Sequence, residues 1–117
     1  MQESASQAPI LKIYDDGFLR VEHDGFYVEC GGINVDLRKT EFQIISLLTQ
    51  NAGRFVSYEV IWEYLWHGQR PLNIGSLNVF VYRLRRKFEP RGVRIDTMVS
   101  VGYRIVPRTL NNFDPAK

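Results

Sequence analysis

The chain has 117 residues, of which 44% are hydrophobic and 24% charged. That length accommodates one domain around one core and excludes a second large domain, while the hydrophobic share excludes a disordered chain. The formal charge of +2 is small but unevenly placed: residues 1–69 carry five bases against ten acids, and residues 70–108 carry nine bases against two acids, Glu89 and Asp96. Such asymmetry points to a polyanion-binding face in the second half. Cys30 is the only cysteine, so no intramolecular disulfide forms and a reducing, cytoplasmic setting is expected. No apolar run approaches the about 18 residues of a membrane-spanning helix, and no membrane partner is expected.

Residues 1–9 are polar and small, with neither a basic nor an apolar signal-like segment, and read as a linker. Residues 10–107 read as the folded domain and residues 108–117 as a flexible tail. Apolar runs at Ile10–Tyr14, Phe18–Val21, Phe26–Cys30 and Ile33–Leu37 are separated by Asp15-Asp16-Gly17, His23-Asp24-Gly25 and Gly31-Gly32. Glycines there supply the positive φ angles of tight hairpins, so a small antiparallel meander is predicted.

The period then changes. Over residues 40–50, at about 100° per residue, Ile44, Ile45, Leu47 and Leu48 span a broad apolar arc with Phe42 at its edge, and Gln43, Ser46 and Gln50 share the other side. Glu41 falls within the apolar arc. Either it is buried and paired, with Arg104 or a base of the later helix as donor, or it faces water and favours the helix dipole. Asn51-Ala52-Gly53 ends this helix, with Gly53 suited to a left-handed cap. Ser57 is the expected N-cap of a second helix, Tyr58–Trp66, with Val60, Ile61, Tyr64 and Leu65 inward and Glu59 and Glu63 outward. Residues 67–75 form a loop.

A third helix, Ser76–Glu89, ends at Pro90. Leu77, Phe80, Val81, Leu84 and Phe88 make its core stripe, and Asn78, Val79, Tyr82 and Arg86, flanked by Arg83, Arg85 and Lys87, make its other side. Val93–Met98 and Val101–Val106 read as strands closing on Val99-Ser100. Three short helices followed by a hairpin predict an α+β winged helix-turn-helix: an N-terminal four-stranded antiparallel sheet, a three-helix core and a C-terminal β-hairpin wing. A helix with one apolar and one basic, aromatic face is suited to the major groove of DNA. Its arginines can neutralise phosphates or read guanine, Asn78 can read adenine, and Tyr82 can touch a phosphate or a thymine methyl.

Several stretches together resemble the OmpR/PhoB-type effector domains of bacterial response regulators. They are Val35-Asp36-Leu37 through Glu41-Phe42, Ile44-Ile45 and Leu48; Asn51 through Ser57; Leu65-Trp66; Leu77-Asn78-Val79 through Arg83-Leu84-Arg85-Arg86-Lys87-Phe88-Glu89; and Val101-Gly102-Tyr103-Arg104-Ile105. They cover about residues 19–106. The resemblance implies a transcriptional regulator that binds promoter DNA, often as a second copy head-to-tail, with the third helix in the major groove and the wing near the minor groove. It implies base-reading positions at Ser76, Val79, Tyr82, Arg83 and Arg86, to which the residue reading adds Asn78, and phosphate contacts at Ser57, Trp66 and Arg85, to which it adds Lys87; the wing positions are Thr97, Val99 and Ser100. By position, His67, Gly68, Gln69, Arg70, Pro71, Leu72 and Asn73 match a loop that contacts RNA polymerase. Trp66 has a second reading as a core residue. The family commonly has Arg-Gly at the wing tip, where this chain has Val99-Ser100, and Thr-Pro before the first helix, where it has Arg38-Lys39.

No catalytic residue, cofactor or metal is expected. The two histidines, His23 and His67, are far apart in sequence without a cysteine at ligand spacing, and no nucleophile elbow or phosphate loop is present. The alternative to DNA binding is a winged helix used for protein–protein contact, with Trp62, Trp66 and Tyr82 as its surface.

Overall fold

Two antiparallel sheets flank three helices in residues 12–106, the part of the chain that the computed structural model describes. The first sheet is ordered β1 (Ile13–Asp15), β2 (Leu19–Glu22), β3 (Tyr27–Cys30) and β4 (Ile33–Asn34). The predicted start at Ile10 and both predicted end segments lie outside the described residues. The register pairs Leu19 with Cys30 and Val21 with Val28, so the two-residue period puts all four on one buried face. The opposite face is polar and internally bonded: Arg20 reaches Glu22 at 3.1 Å and Asp15 at 3.2 Å, and the Tyr27 hydroxyl donates to Glu29 at 2.7 Å.

The meander is as predicted in order but shorter in its strands. β4 ends at Asn34 rather than Leu37. In the second turn the left-handed residue is Phe26 (φ 52°), not Gly25, which removes Phe26 from the strand. Its ring lies 4.9 Å from that of Phe42, a contact that helps offset the cost of this conformation in a non-glycine residue.

Helix α1 (Lys39–Gln50) is buried on almost every side, Ser46 included. The polar side that Ser46 shares with Gln43 and Gln50 is itself covered: the meander packs there, and His23 Nδ1 lies 2.7 Å from Ser46 Oγ. Thr49, also buried, donates back to the Ile45 carbonyl at 2.8 Å, which satisfies its hydroxyl within the helix. Gly53 is left-handed (φ 84°), but its N–H goes to the Ile105 carbonyl at 3.0 Å and so ties the helix exit to the last strand.

A short strand β5 (Val56–Ser57) leads into α2 (Tyr58–Trp66), and Ser57 Oγ caps α2 by accepting from the Val60 N–H at 3.1 Å. Two assignments on α2 are corrected. Val60 is exposed, because it sits in the first turn beyond the reach of the other helices, and Trp62 is buried, its indole N–H donating to the Arg70 carbonyl at 2.9 Å. Helix α3 (Ile74–Phe88) starts two residues earlier than predicted because Asn73 Oδ1 accepts from the Ser76 N–H at 2.9 Å and sets the cap there. Its Leu77, Val81, Leu84 and Phe88 are fully buried, while Phe80 packs at the core margin.

A 3₁₀ turn (Glu89–Arg91) leads to β6 (Arg94–Met98) and β7 (Gly102–Val106), the wing. The second sheet is ordered β5-β7-β6, so the segment before α2 becomes a third strand that no local pattern announced. Gly102 makes this possible: a Cβ there would lie 1.9 Å from the Val56 carbonyl oxygen. A four-stranded antiparallel sheet, three helices and a C-terminal hairpin are the architecture the sequence predicted.

Candidate nucleic-acid interface

Helix α3 organises the site, and its side chains divide into four sectors. The core stripe of Leu77, Val81, Leu84 and Phe88 fixes its rotation. On one flank, Asn78 and Arg85 stand two turns apart and both meet the wing. The Tyr103 hydroxyl donates to Asn78 Oδ1. Arg85 donates to the Ile95 carbonyl from Nε at 3.0 Å and from Nη2 at 2.8 Å, and from Nη2 to Thr97 Oγ1 at 2.6 Å. β6 is an edge strand, so Arg85 satisfies a backbone acceptor that no neighbouring strand reaches.

On the other flank, Lys87 meets α1. Its Nζ lies 2.9 Å from Glu41 Oε1 and donates to the Asp36 carbonyl at 2.8 Å. Glu41 is 2% exposed and also accepts from the Arg38 N–H at 3.0 Å, so it caps α1 from inside while holding α3. Of the two alternatives for Glu41, the buried and paired one holds, with the later helix as donor. Burial pushes its carboxyl up, but the Lys87 hydrogen bond, the Arg38 N–H and their charges together hold it below its ordinary value. Arg104 is engaged elsewhere: it donates to Asp96 at 2.8 Å and stacks 4.5 Å over the Phe55 ring. Arg94 meets the same Asp96 at 3.0 Å. Burial again acts upward on Asp96 and is outweighed by the two arginines.

The fourth sector faces away from the core. Val79 (47% exposed) and Tyr82 (57%) stand there with Arg83 and Arg86, and Ser76 lies at its margin, half-buried. Arg83 and Arg86 make no ion pair among the described residues, and Arg86 donates to the Tyr82 hydroxyl at 3.2 Å. So the bases of residues 70–106 divide. Arg85, Lys87, Arg91, Arg94 and Arg104 are held by acids or carbonyls of the domain and Arg70 covers Trp66, whereas Arg83 and Arg86 present their charge on a continuous outward face beside Val79 and Tyr82.

The remaining predicted positions are more dispersed. Ser57 is spent as a cap acceptor, with its hydroxyl hydrogen still available. Trp66 is half-buried, tilted against Trp62 at 5.8 Å and covered by the Arg70 guanidinium at 4.0 Å, and its indole N–H is buried. Residues 67–72 are exposed, with His67 and Gly68 both left-handed, and Asn73 belongs to the cap of α3. At the wing tip Val99 is 81% exposed, and the positive φ falls on Ser100 (68°), so Val99 escapes that strain. Met98 and Val101 beside it are also exposed. Sequence reasoning missed the acceptor role of Asn78 and the capture of the wing by Arg85, and it named a base of the later helix as a partner for Glu41 without singling out Lys87, since the partners of these three residues lie up to 51 residues away. No group of residues able to hold a metal, and no helix long and apolar enough to cross a membrane, occurs among the described residues.

Residues 32–105 match the family described as "Transcriptional regulatory protein, C terminal". The chain is 30% identical over 99 residues to the response regulator ArlR of Staphylococcus haemolyticus, covering 83% of this chain and 45% of that protein. It thus spans less than half the length of the curated relatives it matches. Among solved structures, it resembles the response regulator DrrB of Thermotoga maritima, an OmpR/PhoB homologue (TM-score 0.70, 33% identity, 81% of this chain and 44% of that one). It also resembles the DNA-binding domain of Klebsiella pneumoniae RstA, solved in complex with the RstA box (TM-score 0.69, 27% identity, 83% and 99%). The CpxR DNA-binding domain of E. coli shares the fold (TM-score 0.71, 21% identity, 82% and 97%).

Proposed function

Since the chain belongs to the OmpR/PhoB-type family of response-regulator effector domains, a family of DNA-binding rather than catalytic domains, we propose that it binds promoter DNA sequence-specifically in the bacterial cytoplasm, with α3 in the major groove and the wing alongside the minor groove. The observation that carries this reading is the outward face of α3. It gathers Arg83 and Arg86 with Val79 and Tyr82, while every other base on the helix is tied down. Arginine reads guanine through two donors, and apolar side chains suit thymine methyl groups.

In this reading Ser76, Val79, Tyr82, Arg83 and Arg86 meet base edges. Asn78, Arg85 and Lys87 act one step back: they set the angle between α3, the wing and α1, and leave the DNA contacts to their neighbours. Ser57 donates its hydroxyl hydrogen to a phosphate at the start of α2. Trp66 supports the loop through Arg70 rather than reaching a phosphate itself. The exposed loop of residues 67–72 is the surface offered to RNA polymerase, and a second copy binds head-to-tail on tandem sites.

Binding to random-sequence duplex at two salt concentrations tests the core of this proposal. Steep weakening with salt is expected of a basic-helix DNA binder, followed by recovery of one preferred site from a randomised pool. The exposed, uncharged wing tip of Met98, Val99 and Val101 favours a second reading, a protein-contact module. Binding that is absent, or indifferent to salt, would select it.

A further inference from the structure

We infer that Arg38, in the segment entering α1, is a DNA-phosphate contact on the side of α3 opposite the wing. This rests on the DNA-binding reading above and extends it to a residue outside the helix-turn-helix. A cleft between the start of α1 and the C-terminal half of α3 is lined by Arg38, Glu41, Arg83, Arg86 and Lys87. Its charge balance is lopsided. Glu41 is the one carboxylate of the lining: it pairs with Lys87 at 2.9 Å and also meets the charge of Arg38, and Lys87 is further held by the Asp36 carbonyl. Four cations thus share the cleft with a single carboxylate. Arg38 is exposed, and its side chain forms no salt bridge among the described residues. Like charges held this close repel one another, and a polyanion is the partner that relieves the repulsion.

Geometry selects which part of the DNA. Arg83 and Arg86 belong both to the outward face of α3 and to this cleft. With that face in the major groove, the cleft opens onto the phosphate strand bordering the groove on its α1 side. The wing, tied to the other flank of α3 by Arg85, borders the opposite strand. The Glu41–Lys87 pair holds α1 against α3 and so sets how far Arg38 stands from that strand. Planar guanidinium groups bind phosphate in a two-point fashion, which favours arginine at such a position.

The test uses the full chain and a short random-sequence duplex titrated across a range of salt concentrations. Arg38→Ala should weaken binding to every sequence alike and lower the slope of log K against log salt by about 0.9, the value for one released phosphate counterion. Lys39→Ala removes a charge one residue along, from an exposed position outside the cleft lining, and should change the slope much less. Arg38→Lys should keep most of the slope, and thermal melts of the variants should coincide with that of the parent chain. Equal effects from Arg38→Ala and Lys39→Ala, or an unchanged slope in Arg38→Ala beside a steep parent slope, overturn the Arg38 contact and leave the DNA-binding reading intact. A parent chain that shows no salt-dependent binding overturns both.

Discussion

Arg85 holds the carbonyl oxygen of Ile95 with two donors, at 3.0 and 2.8 Å, across the gap between α3 and the edge of the wing. Two residues earlier, Arg83 has no such partner among the described residues. Two arginines of one helix, separated by Leu84, therefore have opposite roles, and mutation should separate them. Arg83→Ala should leave the melting temperature within error and cost about 1–3 kcal/mol on a preferred site, with relaxed preference at one base pair. Arg85→Ala should lose about 1.5–3 kcal/mol of folding stability, the scale of a charged hydrogen bond to a buried acceptor, and weaken preferred and random DNA together. Melting curves and paired titrations check both. Equal small losses on both DNAs from Arg83→Ala would remove it from the base-reading set.

Acid should act on the fold in two separate steps. Burial lowers the His23 imidazole below its ordinary value, with the Asp24 charge acting weakly the other way. Its stabilisation is therefore complete above the unfolded value of about 6.5 and is lost as pH falls through the lower folded value. Glu41 is also depressed, so its contribution is complete above the ordinary carboxylate range and is lost as pH falls through its folded value. Stability measured by denaturant melts should be level above about pH 6.5, decline once, and decline again at lower pH. His23→Gln should remove the upper decline, and Glu41→Gln should shrink the lower one, to which the depressed Asp96 carboxyl also contributes. Lys87→Ala at neutral pH should cost about 2 kcal/mol, less than a fully buried pair because Lys87 still meets water.

Gly102 tests the junction between the wing and the helix-turn-helix. An added Cβ meets the Val56 carbonyl at 1.9 Å and Ser57 Cα at 2.8 Å, both backbone atoms that cannot swing aside. Gly102→Ala should cost about 3 kcal/mol or more, at the upper end for overpacking. It should also disturb the Ser57 cap of α2, since Ser57 pairs with Gly102 in the sheet. Amide exchange should show β5 and the first turn of α2 opening together. Protection unchanged in that segment would show that the strand is dispensable.

The wing tip offers a gain-of-function test. Val99 is fully outward and uncharged, and Ser100 already takes the left-handed turn position. Val99→Arg therefore introduces charge without new backbone strain. It should tighten binding by about 1 kcal/mol, one solvent-shared charged hydrogen bond, and more on A·T-rich flanks, where a narrow minor groove focuses negative potential. Unchanged affinity and flank preference would place the tip outside the groove.

Local physics made much of this protein legible from its residues. The two-residue period of Leu19, Val21, Val28 and Cys30, the stripe of Leu77, Val81, Leu84 and Phe88, and the cap at Ser57 each depend on neighbours a few positions away. Element order and fold class follow from such patterns, and so does the concentration of positive charge around α3. Which bases stay available does not. On α3, Arg83, Arg85, Arg86 and Lys87 look alike in sequence, but the helix rotation sends Arg85 to the β6 carbonyl and Lys87 to Glu41 and leaves Arg83 and Arg86 outward. The burial of Ser46 and the pairing of β5 with β7 share that origin, because their partners arrive from a turn 23 residues before and a strand more than 40 after. Periodicity settles which face of a helix is apolar. Only the packed neighbours decide which of its polar side chains are consumed by the fold and which remain for DNA.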